Sequence, residues 1–359
     1  METVVARLMR PDLSSFAAYE SARPVRGVVR LHANEASWRA DWDDTAEGLN
    51  RYPDPRPAAL AGRLAALYGT RDDQVLVTRG SDDAIDVLAR GFCRAGDDAV
   101  LVCPPTFGMY AVAAKLQGAR VVTVPLDTRF RVDADAVLEA ARSEAVKLVF
   151  LCSPNNPTGS LVPARTVSRL CEALADRALV VVDEAYGEFS SAPSMAGRLN
   201  RHANLVVLRT LSKAFGLAGA RCGALLGAPE LVRFLRSLLP PYPLPSLSVD
   251  AALKRLQPRE LAAARRRAAA TVKRREKLAE QLARLPCVTR VFPGEGNFLL
   301  ARFADAKGAL AACETGGVLV RDFSDNPYLP GCLRITVGTA AENRQLLSVL
   351  GRLSGEDRG

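Results

Sequence analysis

The sequence predicts an α/β protein in which a large domain built on a mostly parallel sheet precedes a smaller α+β domain. Three observations predict it. Short Val- and Leu-rich runs alternate with amphipathic stretches from about residue 55 to 240. These runs are almost continuously apolar, as strands covered by helices on both faces must be. The texture then changes after Pro240-Pro241-Tyr242-Pro243-Leu244-Pro245. With 359 residues, 48% of them hydrophobic, the chain has enough apolar material for two cores.

Each element follows from local pattern. Residues 75–78, 99–103, 120–124, 147–152, 179–183, 205–209 and 222–226 read as buried strands bounded by Gly, Pro or Asp. Amphipathic spacing predicts helices over 82–92, 107–116, 134–142 and 164–175. Beyond the proline cluster, 250–284 reads as one long Ala/Arg/Leu helix. Strands at 289–292, 297–303 and 333–337 follow, then a closing helix at 342–353. The first thirty residues have weak periodicity and read as an arm. The expected division is an arm over 1–30, a large domain over 31–240 and a small domain over 241–359.

Composition excludes several classes. Eight scattered cysteines without a CxxC pair read as reduced core residues of a cytosolic protein. The opening METVVARLMRPDL lacks the apolar core of a signal peptide, and no run is long enough to cross a bilayer. A cytoplasmic protein without a membrane partner is therefore expected. The net charge of +9 fits attraction for anionic small molecules. Arg265-Arg266-Arg267 and Lys273-Arg274-Arg275 read as a solvated helix face, and no nucleic-acid-binding module accompanies them. With only His32 and His202 present, neither a histidine metal site nor a Ser-His-Asp triad is expected.

Four segments carry chemistry. Ser153-Pro154-Asn155-Asn156-Pro157-Thr158-Gly159 directly follows a strand, where ligands of open α/β sheets bind, and its proline-flanked turn can fix the Asn156 amide. Alone, it is also an ordinary turn signal. Asp183 ends a strongly apolar strand, either as a cap or as a carboxylate aimed into a site, and Tyr186 lies three residues on. Lys213 sits just past a strand in a Ser/Gly-rich turn, bracketed by hydroxyls and followed by Arg221. Burial among positive neighbours would lower its pKa and suit Schiff-base chemistry beside a phosphate. Gly80 and Ser81 open a helix whose free N–H groups can receive a phosphate, or Ser81 is a plain N-cap.

In this order, SPNNPTG, DEAY and TLSKAF make the chain resemble the fold-type I enzymes dependent on pyridoxal 5'-phosphate (PLP). Tyr19-Glu20-Ser21-Ala22-Arg23, Asn50-Arg51-Tyr52-Pro53, the block from Pro104 to Tyr110 and the block from Cys332 to Gly338 narrow the resemblance to the histidinol-phosphate aminotransferases. The resemblance implies a fold-type I PLP-dependent transferase. Lys213 would join the cofactor covalently and move the proton, and Asp183 would pair with its ring nitrogen. Tyr186 and Asn156 would bond its ring oxygen, and Phe107 would stack on its face. Ser81, Asp82, Thr210, Ser212 and Arg221 would hold its phosphate, with Tyr52 reaching in from the other subunit of a homodimer. Arg334 would bind the glutamate carboxylate and the histidinol phosphate, with Arg321, Tyr19 and Asn34 near the substrate. The implied reaction exchanges an amino group between L-histidinol phosphate and 2-oxoglutarate in histidine biosynthesis. An aromatic-amino-acid aminotransferase or a threonine-phosphate decarboxylase is the nearest rival. A PLP-sensing transcription regulator would need a DNA-binding module that the chain has no residues left to build.

Overall fold

The computed structural model describes residues 3–16 and 28–353. The seven expected strands of the large domain are all present, with ends within a residue of expectation. They are β1 (Val75–Thr78), β2 (Ala99–Val102), β3 (Arg120–Thr123), β4 (Val146–Cys152), β5 (Leu179–Asp183), β6 (Leu205–Thr210) and β7 (Gly223–Leu226). They form one sheet in the order β1-β7-β6-β5-β4-β2-β3. β3, β2, β4, β5 and β6 run parallel, while β7 lies antiparallel between β6 and β1. Every residue of β1, β2, β5, β6 and β7 is buried. β3 corrects the expectation of seven buried strands. It closes one edge with β2 as its one neighbour, and Arg120 and Thr123 are exposed.

Eleven α-helices occur among the described residues. They are α1 (Val4–Leu8), α2 (Ala58–Tyr68), α3 (Ser81–Phe92), α4 (Met109–Leu116), α5 (Ala134–Ser143), α6 (Ala164–Ala173), α7 (Pro229–Ser237), α8 (Ser246–Arg255), α9 (Pro258–Leu282), α10 (Ala306–Thr315) and α11 (Ala340–Leu353). The period of two along each strand divides the side chains between two cores. Val180 and Val207 face a core with Leu60 and Leu64 of α2, Val137 of α5 and Leu170 of α6. Val181 and Leu208 face the other, with Ile85 and Leu88 of α3, Tyr110 of α4 and Leu231 of α7. Four helices, α1, α2, α7 and α10, escape the sequence pattern. α2 is an Ala/Leu run whose one charged residue is Arg63, and α7 spans only nine residues. Val5 and Leu8 of α1 are buried in the second core, so the N-terminal stretch begins docked on the sheet.

The single long helix expected at 250–284 is two helices. Pro258 has no amide hydrogen, and its ring holds Gln257 extended at φ −64° and ψ 145°, which separates α8 from α9. Ala252 of α8 and Ala264 of α9 belong to the first large core, whereas Leu278 and Leu282 of α9 belong to a third core. α9, about 38 Å long at its 25 residues, therefore ties the two bodies together. The third core underlies a four-stranded antiparallel sheet of β8 (Val288–Phe292), β9 (Phe298–Phe303), β10 (Arg321–Asp322) and β11 (Cys332–Thr336), in the order β10-β11-β9-β8. β10 is too short to show a pattern in sequence. All eight cysteines are free and seven are buried, as scattered core residues should be.

Gly223 shows how tightly the sheet's end is packed. A Cβ there would lie 2.7 Å from the Arg209 carbonyl oxygen and 2.9 Å from the Gly80 Cα, both backbone atoms that cannot swing aside. Gly223→Ala is expected to cost about 1–3 kcal/mol. Urea unfolding at constant m measures it, and an unchanged midpoint would refute the packing argument.

Candidate active site

The carboxyl ends of β4, β5 and β6 open into a cleft of about 660 Å³. Ser81, Asp82, Phe107, Asn156, Asp183, Tyr186, Thr210, Ser212, Lys213, Arg221, Arg321 and Arg334 all line it. Residues up to 253 positions apart in sequence meet there, because parallel strands deliver successive loops to one edge of the large sheet and the small sheet brings Arg321 and Arg334 to the same place.

Asp183 ends β5 with its side chain buried. One carboxylate oxygen accepts from the Tyr110 hydroxyl at 2.8 Å and the other from the Ala185 amide at 3.0 Å. Asp183 thus caps the turn at Ala185 and also lines the cleft, so both readings of it hold together. Burial pushes its pKa up to about 6, against the two hydrogen bonds that hold it down. Tyr110 is the principal residue that the motifs leave without a role. It sits on α4 at a position that looks like core, stacked on Phe150 at 4.7 Å with Phe107 edge-on at 5.6 Å. A tyrosine within an amphipathic stretch directly after the Pro104-Pro105 turn is the only sequence signal for it.

The turn after β4 is fixed by Asn155 rather than by Asn156. The Asn155 amide donates to the Pro105 carbonyl (2.8 Å) and the Thr158 hydroxyl (2.7 Å), and it accepts from the Thr106 hydroxyl (2.7 Å). That leaves the Asn156 side chain at the cleft, where its oxygen accepts from Arg334 Nη1 at 2.5 Å.

Opposite lies a cradle suited to an anion. Gly80, at φ 85°, is the N-cap of α3 and supplies no side-chain cap; Ser81 is the first helical residue, so the plain serine cap is not what forms. A Cβ on Gly80 would stand 2.9 Å from Arg221 Nη2. The uncapped helix start thus faces a guanidinium, with Ser212 Oγ 3.3 Å from Arg221 Nη1 and 3.0 Å from Thr210 Oγ1. Asp82 pairs with Arg221 at 3.1 Å, so its carboxylate opposes an anion while its backbone belongs to the helix start.

Lys213 stands between these two groups, open to the cleft, with its amine 5.8 Å from the centre of the Tyr186 ring. Partial burial lowers its pKa, reinforced by Arg334 and Arg221 and opposed by Asp82 and Asp183. On the far wall Arg321 lies directly across the β10–β11 ladder from Arg334. Burial, with Arg321 nearby, lowers the Arg334 pKa as well. Its guanidinium lies 5.5 Å from the Phe298 ring and 5.8 Å from that of Phe323.

Three expected residues are not gathered here. Tyr52 is half-exposed and stacks on Tyr242 at 4.4 Å, in a separate groove of about 860 Å³. Asn34 is not among the cleft-lining residues, and Tyr19 lies outside the described residues. The residues that do converge fit a phosphorylated aromatic aldehyde with a ring nitrogen. They provide an amine with a lowered pKa, a buried carboxylate, an aromatic wall at Phe107 and an anion cradle.

A seven-stranded, mostly parallel sheet with this lysine and carboxylate at its carboxyl edge defines a class of protein. The chain belongs to the aminotransferase class I and II family, whose model matches residues 28–350. It is 50% identical over 351 residues to the histidinol-phosphate aminotransferase of Stenotrophomonas maltophilia, covering 96% of both chains. It is 49% identical to that of Xanthomonas euvesicatoria, again over 96% of each. Among solved structures it resembles the histidinol-phosphate aminotransferase of Sinorhizobium meliloti in complex with pyridoxal-5'-phosphate, at a TM-score of 0.78 and 27% identity. That match covers 85% of this chain and 83% of the other. L-threonine-O-3-phosphate decarboxylase from Porphyromonas gingivalis shares the fold at a TM-score of 0.73 and 24% identity, over 85% of this chain and 91% of that one. No helix among the described residues is long and apolar enough to cross a membrane.

Asp183 makes stability depend on pH in a definite direction. Because its folded pKa, about 6, exceeds the ordinary 3.8, the folded cofactor-free protein holds a proton there that the unfolded chain releases. Stability is therefore lost as pH rises through that window, by about 3 kcal/mol in all. Asp183→Asn is expected to abolish this slope. Parallel urea titrations at pH 4 and 7 without cofactor would refute the assignment if the two proteins tracked each other.

Proposed function

We propose that the protein catalyses reversible transfer of an amino group between L-histidinol phosphate and 2-oxoglutarate, with pyridoxal 5'-phosphate as its cofactor, as a cytoplasmic homodimer. The observation that carries the reading is the convergence of Lys213, Asp183, Arg221 and Arg334 on one cleft, in a chain half identical to histidinol-phosphate aminotransferases along almost its whole length.

Bound PLP supplies an electron sink for the substrate α-carbon. Lys213 Nζ would be the amine that holds the cofactor and the base that moves the proton at the substrate α-carbon. Burial, with Arg334 and Arg221 nearby, lowers the Lys213 pKa, which favours the nucleophilic form of the amine. Asp183, whose carboxylate Tyr110 and the Ala185 amide keep in place, would hold a proton on the ring nitrogen. Tyr186 and Asn156 would bond the ring oxygen, and Phe107 would supply an apolar wall. Ser81, the backbone at Asp82, Thr210, Ser212 and Arg221 would hold the cofactor phosphate.

Arg334 and Arg321 form the substrate end. A planar guanidinium binds either a carboxylate or a phosphate bidentately, so the same pair serves glutamate in one half-reaction and histidinol phosphate in the other. Tyr52 lines a groove separate from its own cleft, which supports a role in a second subunit. The exposed Leu31, Trp38, Trp42 and Leu247 give a second copy apolar surface to cover. Tyr19 and Asn34 are assigned to the substrate on the same reading.

Lys213→Ala is expected to lower kcat by a factor on the order of 10²–10⁴ or more while the fold persists. Borohydride reduction of the PLP-loaded wild type should place a pyridoxyl group on the peptide containing Lys213, and a label elsewhere would overturn its role. A steady-state panel of histidinol phosphate, phenylalanine and threonine phosphate tests the substrate. A higher kcat/KM with phenylalanine, or carbon dioxide released from threonine phosphate, would replace the proposed reaction with its rival.

A further inference from the structure

β5 and β6 deliver the two halves of the chemistry, β5 leading to Asp183 and Tyr186 and β6 to Lys213. Their backbone ladder ends where the site begins. Asp183 is in register with Leu208, and the Glu184 amide donates to the Leu208 carbonyl at 3.0 Å. Beyond that bond the chains diverge, one into the turn that carries Tyr186 and the other into the turn that carries Lys213.

A buried side-chain cluster takes over at that point. Arg209 Nη1 donates to Glu184 Oε2 at 2.6 Å, and Nη2 donates to Glu188. The side chains of Arg209 and Glu184 are only 7% and 6% exposed, so the pair lies in the interior. Glu184 is held in turn by the Ser194 hydroxyl (2.5 Å) and the Met195 amide (2.7 Å). The guanidinium lies 4.6 Å from the centre of the Tyr68 ring on α2. A Cβ at Gly187, between Tyr186 and Glu188, would fall 2.4 Å from Arg209 Nη1. The turn therefore runs directly over the guanidinium. By strand alternation Glu184 and Arg209 face away from Asp183 and Thr210, which places this cluster beneath the floor of the cleft.

Burying two carboxylates and a guanidinium is a poor way to gain stability, because desolvation offsets most of the attraction. What such a cluster does well is fix geometry. We propose that Arg209 is a positioning residue, which clamps the Asp183–Tyr186 turn to the strand that carries Lys213 and so sets the lysine's place against the tyrosine and the carboxylate. The proposal rests on the PLP reading above.

The test uses full-length protein loaded with PLP. The wild type must first show a visible chromophore that borohydride bleaches; without it the cofactor reading falls, whatever the clamp does. Gly187→Ala removes no polar group and displaces the guanidinium. Arg209→Met removes the clamp, and Arg209→Lys restores charge without the fork. Gly187→Ala and Arg209→Met are expected to lower kcat about tenfold or more, since displacements near 1 Å suffice for such losses. KM for the amino donor should stay within about threefold, because Arg334 and Arg321 are untouched. The pH midpoint of the chromophore should move upward as Tyr186 and Asp183 leave their places. Arg209→Lys should fall between Arg209→Met and wild type. If Arg209→Met does not fold, Gly187→Ala decides alone. A lowered thermal midpoint with kcat and chromophore midpoint at wild-type values would overturn the proposal and leave Arg209 merely structural.

Discussion

Asp183 ends the middle strand of the large sheet, buried, with a tyrosine hydroxyl and one backbone amide as its hydrogen-bond partners. Ionised, it carries a desolvation cost that these two bonds do not cancel, which is why its pKa stands near 6. Much of the surrounding structure depends on keeping this carboxylate where it is. Tyr110 is pinned between Phe150 and Phe107, α4 carries Tyr110, and the Pro104-Pro105 turn starts the segment that leads to α4. A carboxylate held this way is destabilised until a protonated ring nitrogen meets it. The binding of such a group is then coupled to relief of the burial cost.

The sheet and the loops divide the work. Parallel strands with both faces covered give a rigid platform, and their side chains are almost wholly apolar. Chemistry starts where the ladder stops, at Cys152, Asp183 and Thr210, and each following turn is held by side-chain bonds instead of strand pairing. Asn155 does this for the turn after β4 and the Glu184–Arg209–Glu188 cluster for the turns after β5 and β6. Arg334, from the small sheet, bonds Asn156 from the large one. This bond, together with α9, links the two bodies across the cleft.

Electrostatics gives the cleft its direction. Arg221 marks one end and Arg321 with Arg334 the other, with Lys213 between them and Asp183 below. Anions at both ends are attracted, and burial together with Arg334 and Arg221 lowers the lysine's pKa. The net charge of +9 acts in the same sense at long range, but the two ends are told apart by local geometry alone.

The sequence by itself determined the seven strands of the large sheet, because near-continuous Val/Leu runs between Gly, Pro and Asp have no other stable use in a chain of this length. It also determined the order SPNNPTG, DEAY, TLSKAF, which holds six of the expected residues that meet in the cleft, and the resemblance that this order carries points to six more. Only the tertiary structure decided the rest. Tyr110 and Arg209 look like core in sequence; their roles come from partners 73 and 25 positions away. β3 reads as buried until its place at the sheet edge is known. Pro258 is the exception, a local signal that the Ala/Arg/Leu period masks: its missing N–H and the restraint on Gln257 split the helix through backbone geometry rather than hydrophobic period. Local pattern reports what each segment can bury, whereas the distance between two segments is set by the packing of everything between them.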